Sequence, residues 1–127
     1  MSKILVVDDL RDSADSLALL FDAMGHETMT SYDGQQAVEA AQSFAPDIVF
    51  LDINMPILDG YGAARSLRDV RVDAPPVLVA LTAVSGPDAK RKADAAGFDF
   101  YVNKPADFNV LITIVDDLSR RMEQRTA

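Results

Sequence analysis

Val49-Phe50-Leu51-Asp52-Ile53-Asn54-Met55-Pro56 is the stretch on which the reading of this chain turns. An apolar run ends on a carboxylate and then bends at a proline. An Asp closing such a run sits where a buried strand leaves its sheet, the edge at which open α/β folds hold their ligands. Ile4-Leu5-Val6-Val7 is a second run, ending in Asp8-Asp9, and Val77-Leu78-Val79-Ala80-Leu81 is a third, ending in Thr82. Asp52 is therefore a candidate reactive carboxylate, with groups around it suited to a metal and a phosphoryl group.

Outward from this strand, the chain alternates between the two periodicities. Residues 3 to 8 read as a strand apolar on both faces, as in the middle of a parallel sheet. Asp12-Ser13 offers N-caps for a helix carrying Leu17, Leu20, Phe21 and Met24 at helical spacing, which Gly25 stops. His26 to Tyr32 reads as an edge strand. After the turn Asp33-Gly34, a second helix shows Ala37, Val38, Ala41 and Phe44 on one face and cannot pass Pro46. Residues 47 to 52 form the central strand. The loop that follows, through Asn54, Pro56 and Asp59-Gly60, spans about eight residues against the usual ~2–6 and is a candidate functional loop.

Tyr61, Ala64 and Leu67 mark a third helix, and Pro75-Pro76 turns the chain into the fourth strand. Gly86-Pro87-Asp88 starts a fourth helix whose apolar face is thin, carried by Ala89, Ala93 and Ala96, so weak anchoring and mobility are expected. Phe98 to Val102 reads as the fifth strand. Residues 107 to 122 form the last helix, with Phe108, Leu111, Val115, Leu118 and Met122 on one stripe. Five βα units with right-handed crossovers bring every strand end to one edge. The chain reads as a single domain over residues 1–127, with a core at 3–122 and a tail at 123–127.

Composition bounds the chemistry. A chain of 127 residues, 49% hydrophobic and 25% charged, is long enough for one core and too ordered in composition for a disordered segment. It has no cysteine and one histidine, His26, which excludes thiolate chemistry and disfavours a histidine-rich metal site. A net charge of −8 argues against nonspecific nucleic-acid binding. No run reaches the ~20 apolar residues of a membrane span, and the N-terminus lacks a secretory pattern. The cytoplasm is the default location.

If the first and third strands are neighbours, Asp8, Asp9 and Asp52 converge, at a cost in repulsion and desolvation that a hard divalent cation removes. Mg²⁺ needs oxygen ligands and keeps waters, and the carbonyl of Asn54 is placed to add one. The bland reading is that Asp8 and Asp9 make turn hydrogen bonds and cap the first helix. A carboxylate so neutralised can attack phosphorus to give an acyl phosphate. Lys104 after the fifth strand and Thr82 after the fourth can contact the phosphoryl oxygens, although each alone reads as an ordinary strand-end polar residue. Small Ala83 leaves the approach open. Pro56 fixes the loop after Asn54. Lys104-Pro105 is trans by base rate. Tyr101 is either buried sheet material or, on the side of Asn103, a ring that swings between exposed and inward positions.

The set Asp8-Asp9, Asp52 in LDINMPILDG, Thr82-Ala83 and Lys104-Pro105 closely resembles the receiver domain of two-component response regulators and hybrid histidine kinases, over residues 3 to about 122. The resemblance implies a flavodoxin-like three-layer sandwich: a doubly wound five-stranded parallel sheet, order 2-1-3-4-5, with five helices, as in the single-domain chemotaxis response regulator. It implies Asp52 as phosphoacceptor, Asp9 as direct Mg²⁺ ligand, Asp8 as holder of a metal-bound water, and the Asn54 carbonyl as a further ligand, with Mn²⁺ able to substitute. Thr82 and Lys104 would bind the phosphoryl oxygens, Thr82 and Tyr101 would form the switch, Pro56 and Gly60 would shape the loop, and Lys104-Pro105 would be cis. The side chains at Asn54 and Val84 vary in the family and tune phosphoryl lifetime.

The function so implied is transfer from a phosphohistidine, on a histidine kinase or histidine phosphotransfer protein, to Asp52. Output would pass to a downstream protein through the face of the fourth helix, fifth strand and fifth helix, with no nucleic acid and no membrane bound by the domain. Such a chain is not a turnover enzyme; it assists its own phosphorylation and dephosphorylation. The rival readings are an Mg²⁺-dependent phosphatase of the haloacid dehalogenase type, which needs an acid where Asn54 stands, and an interaction domain independent of phosphorylation, which would lack one of the acid, Thr or Lys groups present here. Flavin phosphate binding is opposed by Asp8-Asp9. The chain is either a free regulator or a receiver cut from a larger protein.

Overall fold

The computed structural model describes residues 2–53, 59–70, 75–83 and 86–126. Strands and helices alternate along them: β1 (Lys3–Val7), α1 (Arg11–Ala23), β2 (Glu27–Ser31), α2 (Gly34–Phe44), β3 (Ile48–Asp52), α3 (Gly60–Val70), β4 (Val77–Thr82), α4 (Pro87–Ala96), β5 (Phe100–Asn103) and α5 (Phe108–Thr126). Every strand pairing is parallel, in the order β2-β1-β3-β4-β5. This is the doubly wound, three-layer α/β architecture that the resemblance implied.

Alternation along the three inner strands divides their side chains between two layers. Leu5, Val7, Val49, Leu51, Leu78 and Ala80 face α2, α3 and α4, whereas Ile4, Val6, Ile48, Phe50, Val79 and Leu81 face α1 and α5. Burial on both faces is why these strands read as continuous apolar runs. On the α1 side Phe21 stacks on Phe50 with ring centroids 5.1 Å apart. Burying such a ring stabilises the fold by ~1.5–3 kcal/mol. The α4 helix buries only Ala89, Ala93 and Ala96, the thin face read from its sequence.

The local signals that end helices act as expected. Asp33 accepts a hydrogen bond from the Gln36 N–H at 2.8 Å and caps α2. That helix closes on Ala45 in the left-handed region, φ 52°, just before Pro46. Besides one-residue shifts at several element ends, three boundaries differ from the sequence reading. The α1 helix begins at Arg11, ahead of Asp12-Ser13, and Leu10 at its cap position makes no side-chain cap bond. The Leu10 N–H donates instead to Asp8 Oδ1, so a preceding acid fixes the helix entry. The β5 strand begins at Phe100, two residues after Phe98, which packs into the core. Asp99 bridges to β4 with both backbone and carboxylate: its N–H donates to the Leu78 carbonyl at 2.8 Å, and its Oδ2 accepts from the Leu78 N–H at 2.9 Å. The α5 helix continues to Thr126, through the residues read as a tail.

Polar groups at the edge where the strands begin are paired across long sequence separations. Lys3 and Asp47 exchange two bonds of 2.8 Å, Lys3 N–H to Asp47 Oδ2 and Asp47 N–H to the Lys3 carbonyl. Buried Ser2 donates its N–H to His26 Nδ1 at 3.0 Å, and its hydroxyl meets that of Ser119 on α5 at 2.6 Å. Among the described residues no helix is long and apolar enough to cross a membrane.

Candidate functional site

The site forms at the opposite edge, where the strands end. Val7 of β1 pairs with Leu51 of β3, which sets Asp8 beside Asp52. One carboxylate oxygen from each of Asp8, Asp9 and Asp52 lies within 4.8 Å of the others. Asp8 and Asp52 are buried, and Asp9 is exposed. A graded cluster of this kind leaves one acid facing solvent and two beneath it.

Lys104 is the cation that reaches into the cluster. Its Nζ donates to Asp8 Oδ2 at 3.0 Å and to Asp52 Oδ2 at 3.2 Å. The Lys104 N–H donates to the Thr82 carbonyl at 2.7 Å, which fixes the lysine to the end of β4. Burial, the strongest single influence, lowers the pKa of Lys104, but the bonds and charges of Asp8 and Asp52 together outweigh it, and the net direction is up. The lysine therefore stays protonated at neutral pH. Its contribution to stability is present below its ordinary value of 10.5 and is lost only as pH rises through the higher folded value.

Asp8 thus does both things its sequence position allowed. One oxygen makes the turn bond to Leu10, and the other meets Lys104. Thr82 is fully buried at the end of β4, on the face it shares with Ala80, and pairs with Asn103 of β5. Tyr101 is half-buried against the layer of α3 and α4, across from Ala80. The Lys104–Pro105 peptide bond is cis. Asn54, Pro56 and Val84, assigned from sequence to the metal site, the loop and the phosphoryl lifetime, lie outside the described residues.

Gly60 closes the far side. Its N–H donates to the Ile53 carbonyl at 2.8 Å, and a Cβ there would press on the Ile53 Cα and stand 2.7 Å from the Asp52 carbonyl oxygen. Only glycine permits this approach of α3 to the end of β3. Beside Asp8 and Lys104 opens a cleft of about 680 Å³, lined by Leu10, Ser13, Leu17, Pro105 and Phe108 among others. Leu10 and Phe108 are both more than half exposed, at 61% and 54%. Sequence reasoning assigned neither Leu10 to the site nor Phe108 to anything but the α5 stripe. An apolar residue directly after Asp8-Asp9 and another after Lys104-Pro105 was the available signal.

Comparison with known proteins decides the family. The model of the response regulator receiver domain matches residues 4–116. The chain belongs to this family. Among curated relatives, this receiver domain is 38% identical over 119 residues to the transcriptional regulatory protein PrrA of Mycobacterium tuberculosis, covering 94% of the chain and 50% of that protein. It is 32% identical to the response regulator PleD of Caulobacter vibrioides, covering 94% of the chain and 26% of PleD. The chain therefore spans half or less of the length of these two relatives. Among solved structures, the receiver domain of a Francisella response regulator superposes with a TM-score of 0.85 at 28% identity, covering 96% of this chain and 99% of that one. The chemotaxis protein CheY4 of Vibrio cholerae gives 0.82 at 26%, covering 93% and 98%. Receiver domains of this family generally bind Mg²⁺, interact with histidine kinases and downstream targets, and are not in general turnover enzymes.

Proposed function

We propose that Asp52 accepts a phosphoryl group from a phosphohistidine on a histidine kinase or histidine phosphotransfer protein. The observation that carries this is the cluster itself: three carboxylates within reach of one ion, with Lys104 hydrogen-bonded to the one that ends β3. The donor set fits Mg²⁺, since it offers hard oxygen atoms and no sulfur or imidazole. As the receiver-domain resemblance implies, Asp9, Asp52 and the Asn54 carbonyl would hold the ion directly and Asp8 through a water. Its contribution when bound is to neutralise charge on the nucleophile and on the phosphoryl oxygens.

An Asp52 oxygen attacks phosphorus in line; the new O–P bond forms as the P–N bond to the donor imidazole breaks, and the electron pair leaves with the imidazole. Lys104 and the Thr82 hydroxyl take the phosphoryl oxygens. The cleft beside Asp8 and Lys104 gives the donor its approach. A phosphorylated side chain adds about −1.5 to −2 of charge, enough to draw Thr82 inward, with Tyr101 following and altering the face of α4, β5 and α5 for a downstream protein. The net charge of −8 supports a protein rather than a nucleic acid as that target. The phosphatase alternative has no observation in its favour. Incubation with acetyl phosphate and Mg²⁺ tests the proposal: wild type gains covalent phosphate and Asp52→Ala gains none. Equal labelling of the two would overturn it.

A further inference from the structure

The α4 helix is held unequally at its two ends. Its N-terminal end, which follows Thr82 in the chain, starts on Gly86 without a side-chain cap bond, and a Cβ built there would meet nothing within 4 Å among the described residues. Its C-terminal end is closed several times over. Gly97 takes the left-handed conformation, φ 102°, and donates its N–H to the Ala93 and Asp94 carbonyls at 3.2 and 3.1 Å. The Phe98 N–H also donates to the Ala93 carbonyl, at 3.1 Å, and the Phe98 side chain is buried in the core. Asp99 then ties the chain to Leu78.

Arg68 of α3 adds a contact between helices at this closed end. A Cβ on Gly97 would overlap Arg68 Cδ and stand 2.6 Å from Nη1 and 3.1 Å from Nε, so the arginine stem and guanidinium lie directly on the glycine backbone. Arg68 and Gly97 also share, with Pro76 and Asp99, the wall of a cleft of about 120 Å³. Arg68 follows Leu67, which is fully buried, so its own helix is a fixed mount. It is exposed overall and forms no ion pair among the described residues. Its charge stands at the C-terminal end of α4, where a cation complements the helix dipole.

We propose that Arg68 latches the C-terminal end of α4 and makes Gly97 the pivot on which that helix turns when Thr82 is drawn toward the phosphoryl group. The inference rests on the phosphoryl-acceptor reading above and deepens it by naming how the response is shaped. With the latch in place, the end of α4 beside the site swings and the far end stays seated. Without it, both ends are loose and the helix shifts as a whole.

Amide NMR on the whole chain reads both ends of the helix: Lys90, whose N–H donates to the Gly86 carbonyl, and Gly97 and Phe98, bonded to the Ala93 carbonyl. In the wild type, beryllofluoride with Mg²⁺ moves the Lys90 resonance further than those of Gly97 and Phe98. In resting Arg68→Ala, Gly97 and Phe98 exchange their amide hydrogens roughly two- to fivefold faster, as for a cation lost from a helix C-terminus, and the beryllofluoride shift spreads to them. Arg68→Lys, which keeps stem and charge, restores most of the protection, and Arg68→Met, which keeps the stem alone, restores less. Phe50 and Val79 in the sheet exchange at the wild-type rate in all three variants. Wild-type exchange at Gly97 and Phe98 in Arg68→Ala overturns the inference, as does an acceleration that Phe50 and Val79 share equally. A wild-type shift as large at Gly97 as at Lys90 overturns the pivot. A wild type whose Asp52 takes no phosphate from acetyl phosphate overturns the phosphoryl reading instead, and the pivot with it. The resting exchange rates are read without any phosphodonor, so the two failures are distinct.

Discussion

The two edges of the sheet treat charge in opposite ways. Where the strands begin, polar groups are matched in pairs: Lys3 with Asp47, Ser2 with His26 and Ser119, Asp99 with Leu78. Where they end, three acids gather around a single lysine. The first edge holds the fold through these pairs; the second carries surplus negative charge, which the proposed ion would offset. Buried like charges are tolerated only where a ligand or a counter-charge repays them.

The sharpest way to break this contrast is Asp52→Asn. Covalent labelling by acetyl phosphate should fall to background, more than ~100-fold, since the amide is no nucleophile; retained labelling would move the chemistry elsewhere. Lys104→Ala comes next. Without added cation, urea unfolding should show a loss of ~1–3 kcal/mol as the acids lose their counter-charge, and Mg²⁺ should restore more stability than it adds to the wild type. A variant as stable as the wild type in chelator would show that the lysine does not balance the cluster. Ser119→Ala probes the other edge: a loss of ~1 kcal/mol for a buried hydrogen bond, with labelling of Asp52 unchanged.

The smallest effect expected is a pH dependence at His26. Burial first, then a nearby positive chain terminus, lower its pKa from 6.5, and Asp116 pulls the other way without prevailing. The folded chain therefore favours the neutral ring, whose Nδ1 must accept the Ser2 N–H. Stability is full above pH 6.5 and declines as pH falls from there through the lower folded value. His26→Gln should flatten that decline in unfolding curves, and an unchanged decline would place its origin in other groups.

Sequence carried the completed strands and most of the site for one reason. Residues that end a two-sided apolar run must emerge at the same edge, so Asp8, Asp52, Thr82 and Lys104 could be grouped before any distance was known. Boundaries set by pairing were not visible. The start of β5 depends on Asp99 meeting Leu78, and the start of α1 depends on an acid already committed to the site. Nor were contacts between distant positions, such as Ser2 with Ser119, because no local pattern encodes them.

The three alanines on the inner face of α4 set a limit on where work done at Asp52 can be spent. At ~0.8 kcal/mol for each buried methyl-sized group, they anchor that helix by ~2–3 kcal/mol, whereas Leu111, Val115 and Leu118 anchor α5 by ~5–9. In the proposed mechanism, two charge-assisted contacts to a phosphoryl group, from Thr82 and Lys104, would supply ~3–6 kcal/mol. That sum exceeds the anchoring of α4 and reaches only the lower end of the anchoring of α5, so on the proposed mechanism α4 is the helix expected to yield first, by the size of its side chains.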